Sequence, residues 1–119
     1  MTIRELTEKL ANMLLAEGFK AACEDDKIAE TACCGYISAF LTRDGKGTVE
    51  KHSTEGYAIT LDPIWKHNGA NECVSVDIEI KNWVNRTGHP VMKVRTNIKM
   101  SDRQLANRVA KALEAWEQL

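Results

Sequence analysis

The stretch Cys73-Val-Ser-Val-Asp-Ile-Glu-Ile-Lys81, then Asn82-Trp-Val-Asn-Arg-Thr-Gly-His-Pro90, then Val91-Met-Lys-Val-Arg-Thr-Asn-Ile-Lys-Met100 decides the fold. Val74, Val76, Ile78 and Ile80 alternate with Ser75, Asp77, Glu79 and Lys81. Met92, Val94, Thr96, Ile98 and Met100 alternate with Lys93, Arg95, Asn97 and Lys99. Successive side chains of a strand point to opposite faces, so two such runs predict an antiparallel hairpin with one apolar face. Its other face carries Asp77 and Glu79 on the first strand and Lys93, Arg95 and Lys99 on the second, so opposite charges are expected to meet across the ladder. Gly88 and Pro90 make residues 82–90 read as a loop between the strands.

Upstream, Gly35 opens further strand pattern. Tyr36, Ser38 and Phe40 alternate with Ile37, Ala39 and Leu41, apolar residues falling on both faces. Arg43-Asp-Gly-Lys-Gly47 predicts a tight turn, since glycine adopts positive φ without steric cost. Thr48–His52 predicts the returning strand. Tyr57, Ile59 and Leu61 predict either its continuation after a bulge or a separate strand. Pro63 has no N–H to give to a ladder and so marks an edge or a strand end. His67-Asn-Gly-Ala-Asn71 turns the chain back into the hairpin.

Helices flank this sheet. Thr2-Ile-Arg-Glu5 has the pattern of a capping box, in which the Thr hydroxyl and the Glu carboxylate each accept from the other residue's backbone N–H. Ile3, Leu6, Leu10, Met13 and Leu14, with Leu15 beside them, form an apolar stripe, and Gly18 suits a left-handed cap, giving a helix over 3–17. Ser101-Asp-Arg-Gln104 repeats the box, and Leu105, Val109, Ala112 and Trp116 share one stripe. Between the first helix and Gly35, Phe19, Ala21 and Cys23 alternate like a short strand. Residues 25–30 read as the start of a short helix, or 24–32 as an acidic loop.

The expected architecture is a single α+β domain over 1–119. It is a two-layer sandwich of order α-β-β-β-β-α, an antiparallel meander of four to five strands with both helices on one face. The opposite face is left to solvent or to a partner. At 119 residues the chain is long enough for a hydrophobic core without staples. With 44% apolar and 28% charged residues its composition is that of a globular protein. No run reads as a membrane span, and the first residues lack a basic-then-apolar leader, so a cytoplasmic location is expected, without a membrane. Formal charge is −1; the first 30 residues hold four Lys/Arg against seven Asp/Glu, and residues 31–100 nine against seven. That asymmetry is too small to announce a nucleic-acid binder.

The chemistry-bearing residues are few. Cys23, Cys33, Cys34 and Cys73 contain no Cys-x-x-Cys pair and read as reduced, buried thiols. His52, His67, His89 and Cys73 are the only set from which a metal site could be built, but a meander sends the loops of His67 and His89 to opposite ends, so no metal and no cofactor is expected. A nucleophilic pair of Cys34 or Cys73 with His52 has no local support from an oxyanion hole or an orienting residue. Gly45-Lys46-Gly47 precedes a strand, where a phosphate loop precedes a helix, and no other catalytic signature occurs. No enzymatic activity is expected.

In element order alone, the α-β-β-β-α part resembles the double-stranded-RNA-binding domain. That family places a basic cluster at the start of its second helix, where this chain has Ser101-Asp-Arg-Gln104, with one base and one acid. The RNA partner the resemblance would imply is therefore not carried over.

A meander also places the turn at 44–47 and the loop at 82–90 at one end. Arg43, Lys46, Trp83, Arg86 and His89 are expected to gather there, joined on the polar face by Lys93 and Arg95. Arg and Trp are the residues in which binding energy concentrates. The bland alternative is that Trp83 folds back on the sheet and the bases are solvated. The expected function is a small non-catalytic binding module (an adaptor, regulator or inhibitor, of the kind phages and mobile elements carry) taking a protein partner through the exposed sheet face and the 82–90 loop. Nucleic acid or a phosphorylated ligand ranks second as partner, because Asp77 and Glu79 stand ready to neutralise Lys93 and Arg95. Homodimerisation through an open sheet edge is compatible with the pattern but not specified by it.

Overall fold

A computed structural model describes residues 1–21, 29–30, 37–43, 56–65, 73–85 and 87–119. Helix α1 spans Ile3–Ala16 and α2 spans Asp102–Glu117. Between them come β1 (Lys20–Ala21), β2 (Ala29–Glu30), β3 (Ile37–Thr42), β4 (Gly56–Trp65), β5 (Cys73–Val84) and β6 (Thr87–Asn97). The main sheet is the antiparallel meander β3-β4-β5-β6; two-residue β1 and β2 both pair with β3. The predicted α+β order is thus present. Ala29 and Glu30 are extended opposite Ser38 and Ile37, not the start of a helix. The turn at 44–47, the returning strand at 48–52 and the turn at 67–71 lie outside the described residues.

Both capping boxes form. The Thr2 and Ser101 hydroxyls accept from the N–H groups of Glu5 (3.1 Å) and Gln104 (3.2 Å), whose side chains accept in return at 3.2 and 2.9 Å. At the end of α1, Gly18 takes φ +93. The N–H of Phe19 then reaches Leu14 O and that of Gly18 reaches Leu15 O, a Schellman closure that needs the left-handed residue.

Leu6, Leu10 and Leu14 of α1 and Leu105, Val109 and Ala112 of α2 close over one sheet face. That face presents Leu41, Ile59, Leu61, Val76, Ile78, Ile80 and Val94, all buried. The two-residue alternation of the strands meets the helical stripes as the sequence pattern requires.

The register explains both prolines. Ile98 N–H donates to Val74 O, so even-numbered residues of β5 bond to β6, and odd-numbered ones face β4. Pro63 lies opposite Val76, so its nitrogen points toward the β3 side, beyond the last β3–β4 pair, Ala39 with Leu61. Pro90 lies opposite Lys81, so its nitrogen points to the outer edge of the sheet. Neither position gives up a ladder bond.

Two expectations are corrected. Residues 82–90 are not a loop: β5 runs to Val84, Asn85 takes φ +50, and β6 begins at Thr87, with Val84 and Thr87 paired. Gly88 and Pro90 are strand residues, the first leaving room for Trp83 opposite and the second sitting on an edge. The helix-free face is also not open throughout. Ala58, Thr60 and Asp77 at its centre are buried, and the long side chains of Lys81 and Arg95 reach across to the carboxylates of neighbouring strands.

Candidate functional site

The helix-free face is organised around three carboxylates. Asp62 and Asp77 pair directly across β4 and β5, and Glu79 stands two residues along from Asp77. Asp77 is 1% exposed and accepts from Arg95 at both oxygens, Nε at 2.9 Å and Nη2 at 3.2 Å. Arg95 is its register partner in a pair without mutual backbone bonds, where side chains come closest. The ion pair raises the Arg95 pKa from its ordinary value, chiefly through the hydrogen bond to Asp77. Lys93 Nζ lies 4.0 Å from the same carboxylate.

Lys81 serves the other two acids, at 3.8 Å from Asp62 and 3.6 Å from Glu79. Thr60 donates its hydroxyl to Asp62 at 3.0 Å. Burial, then a side-chain hydrogen bond with Asp62, pushes the Glu79 carboxyl above its usual range, against the pull of Lys81. The predicted cross-strand neutralisation is present for Asp77, which Arg95 and Lys93 of β6 serve, whereas Glu79 takes its ion pair from Lys81 on its own strand. Among the described residues no group of three His, Cys, Asp or Glu is placed to hold a metal ion.

Trp83 is half-buried, with Lys81 Nζ 6.0 Å from its ring centre. It lies opposite Gly88, where a Cβ would come within 3.1 Å of both the indole Cζ2 and Lys81 Cδ. The indole thus folds back across the hairpin.

Arg43 lies on the other side of the sheet. It follows β3, and its Nη1 donates to Glu17 O at 2.6 Å, where a cation meets the negative end of α1. Its Nη2 reaches Glu117 at 3.2 Å, and its guanidinium stands 4.2 Å over the Phe19 ring. The expected gathering is divided: Trp83, Lys93 and Arg95 share the helix-free side, while Arg43 binds the ends of both helices together. His89 is exposed on β6 opposite Asn82, and Lys46 and Arg86 lie outside the described residues.

Sequence reasoning missed an apolar rim at the end of the molecule where both helices finish. Leu15, Tyr57, Val84 and Leu119 are exposed there, and Val91, the extra residue of the β6 bulge, is exposed nearby. Tyr57 packs edge-on against Trp116, which packs edge-on against Phe19, so the rim continues into the core. Its members come from α1, β4, β5 and the residues after α2 and make no pattern in the sequence; the position of Leu15 just off the helical stripe was the one visible signal.

No family model matches this chain, and neither a curated protein nor a solved structure does. Among the described residues, no helix is long and apolar enough to cross a membrane.

Proposed function

We propose that the chain is a small non-catalytic protein-binding module, an adaptor, regulator or inhibitor working in the cytoplasm. Its contact surface is the sheet end at the β5–β6 turn together with β6. The observation that carries this reading is the apolar rim of Leu15, Tyr57, Val84 and Leu119 at the turn end. Single exposed apolar side chains are ordinary, but several gathered at one end of a small domain favour a partner that covers them. Trp83 and His89 stand near that end on β5 and β6, with Lys93 and Arg95 along β6 and Arg43 bracing the helix ends; Arg86 and Lys46 are included in the proposed contact set from the sequence alone. A nucleic-acid or phosphorylated ligand is the weaker reading, because Arg43 is held by Glu117 and the face that carries Lys93 and Arg95 also carries Asp62, Asp77 and Glu79.

The test is affinity capture with mass spectrometry, comparing the unaltered chain with a Val84→Glu, Arg86→Ala double variant whose fold is checked by circular dichroism. A specific protein retained by the first and lost by the second supports the reading. Equal capture by both removes it.

A further inference from the structure

We propose that the outer edge of β6 receives an extended, acidic segment of a partner protein as an added antiparallel strand. The inference rests on the protein-binding reading above and deepens it by naming the chemistry of the partner.

Strand β6 ends the path β1-β3-β4-β5-β6, and Thr87, His89, Pro90, Val91, Lys93 and Arg95 are all exposed along it. The hydrogen-bonding phase set by Ile98 and Val74 turns the N–H and C=O of Lys93 and Arg95 away from β5, toward that edge. The edge is bounded. Pro90 presents no donor, Val91 is bulged, and Asn97 O already accepts from Met100 N–H at 3.2 Å. Among the described residues, what stays open is a short segment centred on Lys93 and Arg95.

The side chains of that segment select the guest. Lys93 and Arg95 are 55% and 58% exposed on the helix-free face, and β6 holds no acid. Among the described residues the ion-pair contact of Lys93 is the 4.0 Å one with Asp77, whose oxygens Arg95 already occupies, and Glu79, opposite it in register, is engaged by Lys81. A second copy of β6 is a poor guest, because any antiparallel pairing of the outward residues sets Lys93 and Arg95 against one another's bases or Asn97. Acids at alternate positions of an incoming strand would lie beside Lys93 and Arg95. The residues between them would lie beside half-buried Met92 and buried Val94, so small apolar side chains suit those places.

The test titrates the ¹⁵N-labelled full chain with a synthetic peptide of about ten residues, the length of an ordinary strand, alternating Glu and Thr. The expected result is slowed hydrogen exchange, by about tenfold, at the amides of Lys93 and Arg95 but not at those facing β5. Lys93→Glu, at an exposed position, should weaken the acidic peptide by about tenfold and admit a peptide alternating Lys and Thr. The proposal is overturned by absence of binding, by binding without protection of those two amides, or by equal binding of a single-stranded oligonucleotide. If the peptide fails while Val84→Glu with Arg86→Ala still abolishes protein capture, the module reading stands and the strand-addition inference falls; peptide binding at β6 with capture untouched by that double variant gives the reverse.

Discussion

Asp77 and Arg95 face one another across β5 and β6 in a two-point ion pair, with the carboxylate buried and the guanidinium in water. The arrangement lets a strongly desolvated acid sit at the centre of the sheet, since both its oxygens are supplied by one planar donor. A carboxylate in that position without its partner is costly, and the cost falls on the hairpin that carries it.

Removal of the two cations near Asp77 should therefore have unequal effects. Arg95→Met is expected to lower the melting temperature clearly more than Lys93→Met, because Lys93 stands at 4.0 Å where Arg95 makes both bonds. Combining Asp77→Leu with Arg95→Met should recover much of the loss, because no uncompensated charge is then buried. Thermal unfolding of the three variants decides it; equal losses for the two single cation variants would contradict the pair's assigned role.

Glu79 gives the sheet a pH dependence of definite sign. Its carboxyl pKa is raised in the folded chain above 4.5 by burial and by the hydrogen bond with Asp62. The folded state thus holds this proton more tightly than the unfolded one. The stabilisation is complete below the unfolded value and is lost as pH rises through the folded one. Glu79→Gln should abolish that loss, so its stability relative to the unaltered chain increases from about pH 4 to about pH 7. Urea midpoints at the two pH values measure it. Asp62 and Asp77 lie beside Glu79, and Lys81, Lys93 and Arg95 face the same cluster, so the comparison is made between variants and not from one pH profile.

At the end of α1, Gly18 does two things at once. Its φ of +93 closes the Schellman turn, and a Cβ there would stand 3.2 Å from Arg43 Nη1, the nitrogen that caps Glu17 O. Gly18→Ala is expected to cost about 1–2 kcal/mol from the left-handed backbone alone. Displacement of Arg43 adds to it. Denaturant titration should show the loss, and amide exchange should place the added fraying in the last turn of α1.

The helices and the hairpin alternation were legible because each is specified by residues close in sequence: a capping box, a stripe, a period of two. What misled was punctuation. Gly88 and Pro90 look like loop residues until the register shows that one makes room for an indole and the other turns its nitrogen to an open edge. Glycine and proline report a local requirement for space or a missing donor, and only pairing reveals which strand position supplies it. Asp77 was read correctly as the partner of a base opposite, since cross-strand neighbours follow from the alternation, but Glu79 pairs with Lys81 along its own strand, which alternation alone does not reveal. The division of the basic cluster was not legible, because Arg43 is drawn to the helix ends by contacts with Glu17 and Glu117, distant in sequence.

The hairpin end offers the most local test of that lesson. At Gly88 a Cβ would meet the Trp83 ring and Lys81 Cδ at 3.1 Å, so one of these side chains has to give way. The Lys81 stem is flexible, but the indole is rigid and half-buried. Gly88→Val is therefore expected to swing Trp83 off the hairpin and to cost about 1–3 kcal/mol, as overpacking does elsewhere. The assigned indole N–H resonance of Trp83 should shift in this variant, while that of Trp116, packed on Phe19 at the helix-covered side, stays in place. Adding Trp83→Ala to Gly88→Val should remove most of the extra loss, since the clash disappears with the ring. A Gly88→Val chain with unchanged stability and an unmoved Trp83 resonance would mean that the indole does not depend on the glycine, and residues 82–90 would again have to be read as a loop.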